Sequence, residues 1–230
     1  MVVQDNKLGQ IRICVDLRTM NDACLHYPFP TPFTDEVLDN VGGQKVYSFI
    51  DGFSGYHQIK IAKEDRHKTT FAMKWGSFQY TVMPFGLKNA PTIFSRVVVE
   101  AFKEFLHKFL EAYFEDWTVF SLLKDHIECL RLMLDKCRQC QISLNLNKCI
   151  FFSPFGVLLG HILCKHGLLV DPSNIAIIVD LPPPISVRQL RIALGHTGYY
   201  RKFIKGYAQI TTPMEKLLKK DSKFQWIEEC

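Results

Sequence analysis

Three acidic residues at two places in the sequence could do chemistry together. Asp51 ends a β-branched and aromatic run, Lys45–Ile50, and is followed by a glycine-bearing turn. Glu115 and Asp116 interrupt a second such run, Ala112–Phe120, where a tight hairpin turn is expected. Carboxylates crowded at one sheet edge need a cation to neutralise them, and a pair of Mg²⁺ ions is the common solution in phosphoryl-transfer sites. The spacing therefore suggests a two-metal site.

A plainer interpretation of the same acids stays open at this point. Asp51 can cap a turn, and Glu115 with Asp116 can keep a hairpin tip hydrated. The spacing alone does not separate this interpretation from the metal site.

The elements around these acids predict an α+β body. Apolar residues recur every three or four positions from Phe94 to Phe109, which predicts an amphipathic helix of about five turns. A second helix is indicated from Ile127 to Cys137, and a hairpin around Lys74–Ser77. The run Tyr56–Ile61 reads as a further strand or the start of a helix. The long helix lies between the two acidic positions and can bring their strands side by side.

The C-terminal part reads as a basic helical module. Leu181–Pro184 cannot continue a helix and favours an extended linker, and Ser186 with Gln189 forms a capping box ahead of a third helix. From Ser186 onward the chain has nine Lys or Arg against four acids, whereas the other 185 residues hold 19 of each. This distribution is typical of an appendage that binds a polyanion, although a solvated helical face would look similar.

Composition narrows the class of protein. With 230 residues, 47% of them hydrophobic, the chain can bury a substantial core. Its apolar stretches are interrupted before the roughly 18 to 20 residues that a membrane span needs, and it opens with no secretory leader. Its eight cysteines have no disulfide spacing. We expect an intracellular protein with reduced thiols and no membrane partner, in the cytoplasm or nucleus.

Taken in order, several segments of the sequence resemble the motifs of reverse transcriptases from gypsy/Ty3 long-terminal-repeat retrotransposons. The segments are Arg12–Asn21, Ser48–Gln58, Met83–Phe94, Tyr113–Asp116, Leu144–Cys149, Leu159–His161, Leu190–Gly195 and Tyr199–Ile204. The resemblance implies a right-hand polymerase fold. Residues 1–171 would form incomplete fingers and a palm with a ferredoxin-like antiparallel sheet, and residues 172–230 a helical thumb with the start of a connection region.

The resemblance also implies roles for individual residues. Asp51, Glu115 and Asp116 would be the catalytic, metal-binding carboxylates, holding two Mg²⁺ ions or Mn²⁺ in their place. The nucleotide-binding residues would be Arg12, Tyr56, Phe85, Gly86 and Lys148. Among these, Arg12 would contact the triphosphate, Tyr56 would exclude a 2′-hydroxyl, and Lys148 would be a proton donor near the leaving pyrophosphate. The primer- and template-binding residues would be Leu159, Gly160, His161, Arg188, Arg191, Arg201 and Lys202.

The implied activity is RNA-directed DNA polymerisation: transfer of a nucleotide from a dNTP to a primer 3′-hydroxyl on an RNA or DNA template. The chain would work beside other parts of a retrotransposon polyprotein.

Glu115 stands where the family has Asp, and Val3 and Gln4 stand where it usually has a pair of lysines. One extra methylene shifts a carboxylate by about 1 Å, whereas metal–ligand distances are held to roughly ±0.2 Å. The alternative is therefore an impaired remnant that retains at most nucleic-acid binding.

Overall fold

The structure is a computed structural model that describes residues 2–5, 11–219 and 224–226, with side chains from residue 15 onward. The helices are α1 (Arg18–Ala23), α2 (Thr34–Val41), α3 (Ala90–Phe102), α4 (His126–Gln139), α5 (Pro172–Val179), α6 (Val187–Tyr199) and α7 (Tyr207–Lys216). The strands are β1 (Val2–Asp5), β2 (Ile11–Cys14), β3 (Val46–Asp51), β4 (Phe71–Met73), β5 (Gly76–Phe78), β6 (Leu110–Tyr113), β7 (Asp116–Ser121), β8 (Ile150–Ser153), β9 (Phe155–Leu158), β10 (His161–Cys164) and β11 (Gly167–Val170). Short 3-10 helices cover Gly55–Gln58, Lys63–Thr69 and Arg201–Phe203.

The strands form four sheets. A four-stranded antiparallel sheet has the order β6-β7-β3-β8, and β11, β10 and β9 form a three-stranded sheet. The pairs β1–β2 and β4–β5 are antiparallel hairpins, and the second confirms the hairpin predicted around Lys74–Ser77. This mixture of helices and antiparallel sheets confirms the α+β class.

The chain divides into two compact units, which are described separately. The first unit contains residues up to Gly156 together with Cys164–Gly167, and the second contains Val157–Leu163 and the chain from Leu168 onward. The helices α1–α4 and the four-stranded sheet belong to the first unit, and α5–α7 to the second.

The core of the first unit lies between the four-stranded sheet and the helices α3 and α4. The helix α3 buries Phe94 and Phe102, α4 buries Met133, and the sheet contributes Ile50 and Trp117. The Phe102 and Trp117 rings pack with centroids 5.2 Å apart. Fully burying side chains of this size stabilises a fold by roughly 1.5–3 kcal/mol each, so this packing holds α3 and α4 against the sheet.

The helix predicted through Phe109 ends earlier, at Phe102, so that prediction of about five turns was wrong. His107 has φ +63°, a left-handed conformation that a right-handed helix cannot include. Phe105 and Phe109 lie in the following turns but still pack against the core, which explains why the apolar spacing continues past the end of the helix. The helix predicted over Ile127–Cys137 is confirmed as α4.

In the second unit the expected linker and helix start are both present. Residues 181–184 form neither helix nor strand between α5 and α6, which agrees with the inability of the prolines to continue a helix. Ser186 Oγ accepts a hydrogen bond from the Gln189 backbone N–H at 3.3 Å and so caps α6. The Gln189 side chain accepts from Ile185 N at 2.8 Å, so the reciprocal half of the predicted capping box falls one residue earlier.

No helix within the described residues combines the length and the apolar character needed to cross a membrane. The six cysteines whose side chains are described are free thiols.

Candidate active site

The antiparallel pairing of β3 and β7 brings two of the predicted carboxylates together. Asp51, the last residue of β3, is the register partner of Asp116, the first residue of β7. Asp116 is also the partner of Tyr113 in the β6–β7 hairpin, so the two-residue turn consists of Phe114 and Glu115. Asp116 was predicted to lie in that turn, and this prediction was wrong because Asp116 is the first residue of β7. Asp51 and Asp116 therefore sit at one end of the sheet.

The hairpin turn that carries Glu115 is held from both sides. The Gly52 backbone N–H donates to the Glu115 carbonyl oxygen at 2.8 Å. Trp117 Nε1 donates to the Phe114 carbonyl oxygen at 2.8 Å, and Phe114 has φ +52°. Because its backbone is fixed in this way, Glu115 can move its carboxyl group only by side-chain rotation.

Lys148 supplies a positive charge at this end of the sheet. Its Nζ donates to Asp51 Oδ2 at 3.0 Å, across 97 residues of sequence. The side chain of Asp51 is 17% exposed and that of Lys148 is 66% exposed, so the pair lies at the edge of the protein interior. A residue predicted to lie near the nucleotide phosphates is thus bonded to a predicted metal ligand.

The acids at this site influence each other's protonation. Loss of hydration and the neighbouring Asp51 charge raise the pKa of Asp116, and Lys148 opposes that shift. Burial raises the pKa of Glu115, with smaller contributions in the same direction from Asp51 and Asp116, while the Gly55 backbone N–H and Lys148 act in the opposite direction. Three carboxylates around one ammonium leave the site electrostatically suited to bind a further cation.

The carboxylates of Asp51, Glu115 and Asp116 are of the chemical type that binds a divalent metal ion. Carboxylate oxygens are the ligands that Mg²⁺ and Mn²⁺ prefer, and Glu115 Oε1 is buried with no hydrogen-bond partner among the residues that the structure describes. Across the described residues, however, no three Asp, Glu, His or Cys side chains converge on a point where they could hold an ion together. The side chains would have to rearrange, and the Lys148 bond to Asp51 is part of what would change.

Aromatic rings line the region next to the acids. The Tyr56 ring packs edge-on against Phe85 and Phe94, with centroid separations of 5.0 and 5.9 Å. Burial raises the pKa of the Tyr56 phenol, and the charge of Glu115 adds to that shift. Phe85 is 48% exposed, so part of its ring is accessible to a ligand although Tyr56 and His57 both pack against it. Tyr56 and Phe85 therefore form one surface, within reach of the Glu115 charge.

Glycines allow two close approaches at this surface. A Cβ atom on Gly55 would lie 2.6 Å from the Phe94 ring, so this position has no room for a side chain. Gly86 has φ +95°, a conformation that glycine adopts at little cost. Both glycines are therefore needed for the backbone to run as it does beside Tyr56 and Phe85.

Two amides that the sequence analysis left without a role position these loops. Asn21 Nδ2 donates to the Gly86 carbonyl oxygen at 2.7 Å, and its Oδ1 accepts from Lys88 N at 2.8 Å. The Gln58 side chain donates to the Ser143 carbonyl oxygen at 3.0 Å and accepts from Ser143 N at 2.8 Å. Both residues lie inside motif segments, and that location was the signal that could have identified them.

For Arg12 the structure describes only the backbone, which pairs with Gln4 in the β1–β2 hairpin. The predicted contact of its side chain with a triphosphate lies outside the described part of the chain.

In the second unit, hydroxyl groups hold the predicted primer-binding segment. Tyr199 Oη donates to the Leu159 carbonyl oxygen at 2.5 Å, and Tyr200 Oη donates to the Gly160 carbonyl oxygen at 2.7 Å. Asn174 Nδ2 donates to Tyr200 Oη at 2.8 Å. His161 is 1% exposed and its ring lies beside these tyrosines, so it supports the turn from inside the unit.

The basic residues predicted to follow a nucleic-acid backbone are exposed in the second unit: Arg188, Arg191, Arg201 and Lys202. Arg188 and Arg191 lie three residues apart near the start of α6, which places them on one side of that helix. These four positions therefore present positive charge to solvent.

The sheet, its strand-end acids and the flanking helices together have the architecture of the catalytic body of a nucleic-acid polymerase. The family described as "Reverse transcriptase (RNA-dependent DNA polymerase)" matches residues 3–179. The chain belongs to the reverse transcriptase family, and its curated relatives are of the gypsy/Ty3 retrotransposon type.

The relatives and solved structures agree with that assignment. The chain is 37% identical over 216 residues to the Retrovirus-related Pol polyprotein from transposon 297 of Drosophila melanogaster, covering 94% of this chain and 20% of the relative. It is 34% identical to the polyprotein from transposon gypsy of the same organism, covering 90% of this chain and 20% of that relative. The chain thus spans about a fifth of the length of these curated relatives.

Among solved structures, a foamy viral protease-reverse transcriptase in complex with double-stranded DNA matches with a TM-score of 0.87 at 20% identity, over 99% of this chain and 40% of that chain. The same viral protein in complex with an RNA/DNA hybrid matches with a TM-score of 0.78 at 21% identity, over 95% of this chain and 30% of that chain. These likenesses establish the right-hand polymerase fold expected from the sequence.

Proposed function

We propose that this chain is the polymerase core of a retrotransposon reverse transcriptase, which adds nucleotides from dNTPs to a primer 3′-hydroxyl on an RNA or DNA template. The observation that carries the proposal is the register of Asp51 with Asp116 at the end of β3 and β7, next to the Glu115 turn. In this proposal Asp51, Asp116 and Glu115 hold two Mg²⁺ ions, or Mn²⁺. Bound ions of this kind neutralise the charge that develops on the transferred phosphate.

The remaining residues are proposed to orient the substrates. The Tyr56 and Phe85 rings would form the wall against the sugar of the incoming nucleotide, and Gly86 would let the backbone approach it closely. Lys148 is already directed at the acid pair and would meet the phosphates there as a proton donor. Arg12 would contact the triphosphate. Orientation of this kind contributes a large part of the rate in reactions that need little covalent participation by the protein.

The second unit is proposed to bind the template–primer duplex. Leu159, Gly160 and His161 would form the segment at the primer end, and Arg188, Arg191, Arg201 and Lys202 would contact phosphates. Support comes from the exposure of these cations and from the viral structures, which are described as complexes with DNA and with an RNA/DNA hybrid. The curated relatives are polyproteins, and this supports function of the chain beside other polyprotein segments.

Primer extension tests the proposal. Purified protein with Mg²⁺ or Mn²⁺, an RNA template, a DNA primer and dNTPs should extend the primer, and Asp51→Asn should reduce the rate on the order of 1000-fold because a metal ligand is lost. Asp125→Asn is the matched control, since the exposed Asp125 precedes α4 and its side chain makes no capping hydrogen bond. Equal rates for Asp51→Asn and the parent would refute the assignment.

A second candidate function is nucleic-acid binding without catalysis. The fixed backbone of the turn favours it, because Glu115 has little freedom to correct the position of its longer side chain. This candidate would be supported over polymerisation by two results together. The parent and Glu115→Asp would both fail to extend a primer, and both would still bind a duplex in a salt-dependent way.

A further inference from the structure

We propose that Lys148 is a built-in counter-ion of Asp51 that a divalent cation must displace, so that metal binding at this site is coupled to movement of the Lys148 side chain. The inference rests on the proposed metal-dependent function. It begins from the 3.0 Å bond between Lys148 Nζ and Asp51 Oδ2, where the carboxylate is 17% exposed.

The backbone around Lys148 builds this contact. The Asn145 backbone N–H donates to the Asp51 carbonyl oxygen at 2.8 Å, which ties the loop to the end of β3. The backbone N–H groups of Lys148 and Cys149 then donate to the Asn145 carbonyl oxygen at 3.0 and 3.2 Å and close a turn. The backbone of Lys148 is therefore held beside Asp51, although the Lys148 side chain is 66% exposed.

Charge explains why the ammonium and a metal ion exclude each other. Asp51, Asp116 and Glu115 place three carboxylates at one sheet end, and the Lys148 ammonium balances one of them. A dication bound to Asp51 and Asp116 would lie within a few ångströms of that ammonium, where like charges repel strongly. A cation bound through Asp51 Oδ2 would also have to share that atom with the ammonium.

The displacement gives Lys148 two positions in one cycle. Without metal, its ammonium stabilises the crowded acids at the end of the sheet. When a divalent cation takes over that role, the exposed side chain is released and can reach an anionic group brought to the site. No covalent bond is made or broken, because one cation replaces another beside the carboxylate.

Binding of Mn²⁺ to the purified full chain, measured by the electron paramagnetic resonance signal of free Mn²⁺, tests this inference. Lys148→Met should bind Mn²⁺ about three- to tenfold more tightly than the parent, because the competing ammonium is gone. Lys148→Arg should stay close to the parent, since it retains the charge. Lys124→Met removes an exposed lysine of the same unit and should have little effect. Mn²⁺ binding by Lys148→Met that equals or is weaker than that of the parent would overturn the proposal.

A second readout follows the ammonium group itself. The ¹⁵N signal of the Lys148 side chain, assigned by its absence from Lys148→Arg, should shift as Mg²⁺ is added, whereas the Lys124 signal should stay in place. A Lys148 signal that does not respond while the metal binds would refute displacement. Failure of the proposed function looks different: Asp51→Asn and Asp116→Asn would then bind Mn²⁺ as well as the parent does.

Discussion

The two units hold their functional segments by different kinds of interaction. In the first unit the strand-end acids interact through their charges. Asp51 forms an ion pair with Lys148, and burial together with the neighbouring carboxylates raises the pKa values of Glu115 and Asp116. In the second unit, neutral hydroxyl groups of Tyr199 and Tyr200 hold the Leu159–Gly160 turn. The charge of the second unit lies on its surface instead. In the proposed function the first unit would use charge for chemistry and the second would use it for binding, so the two activities should be separable by mutation.

The largest effect on binding is expected from reversing surface charge in the second unit. Arg188→Glu together with Arg191→Glu should weaken duplex binding about ten- to hundredfold at low salt, and the salt dependence should become shallower by about one contact per residue. Position 188 lies in the first turn of α6, where an acidic residue is favourable, and position 191 is an exposed site where glutamate is a good helix former, so α6 should still form. Fluorescence anisotropy with a labelled RNA/DNA duplex measures the change, and Lys124→Glu is the control. Unchanged affinity would show that these arginines lie outside the nucleic-acid interface.

A pair of glycine substitutions contrasts the packing of the two units. Gly55→Ala should destabilise the protein by about 1–3 kcal/mol, because the added Cβ would lie 2.6 Å from the Phe94 ring. Gly195→Ala lies inside α6, where the added Cβ would have no described atom from outside the helix within 4 Å, and it should stabilise the protein by roughly 0.5–1 kcal/mol. Urea unfolding measures both free energies. A Gly55→Ala protein as stable as the parent would contradict the packing described for the Tyr56 surface.

The smallest effect concerns pH and a buried histidine of the first unit. His126 is fully buried, its ring nitrogens lie 2.8 Å from Ser48 Oγ and 2.7 Å from Ser121 Oγ, and burial lowers its pKa. Because His126 takes up a proton more readily in the unfolded chain than in the folded one, the free energy of unfolding should be highest above about pH 6.5. It should fall as the pH drops below that value.

The slope from this residue should not exceed about 1.4 kcal/mol per pH unit. Urea midpoints between pH 5 and pH 8 measure it, with His126→Asn as the reference that lacks the titrating ring. If both proteins show the same pH dependence, His126 is not its source.

The sequence predicts features that depend on neighbouring residues better than contacts between residues far apart in the chain. Local patterns located β3, α4 and the hairpin that carries Glu115, because apolar periodicity and turn residues act over a few positions. The same apolar periodicity continues past the end of α3, because Phe105 and Phe109 pack against the core although they lie in turns. The predicted helix was therefore too long.

The order of the motif segments identified the acids of the candidate site and the family. The 3.0 Å contact of Lys148 with Asp51 could not be foreseen in this way, because it joins residues 97 positions apart through the path of a loop. The support that Asn21 gives to Gly86 depends on tertiary structure in the same way.

The proposed nucleotidyl transfer at the end of β3 and β7 should depend on the position of the carboxylate at residue 115. Rapid-quench measurement of single-nucleotide addition to a DNA primer on an RNA template tests it most directly, with the parent and Glu115→Asp compared at equal duplex occupancy. We expect Glu115→Asp to add the nucleotide faster, on the order of 100-fold, because the shorter side chain removes a displacement of about 1 Å, while duplex affinity stays the same. A Glu115→Asp rate equal to or below that of the parent would contradict the dependence of the rate on the carboxylate position at residue 115.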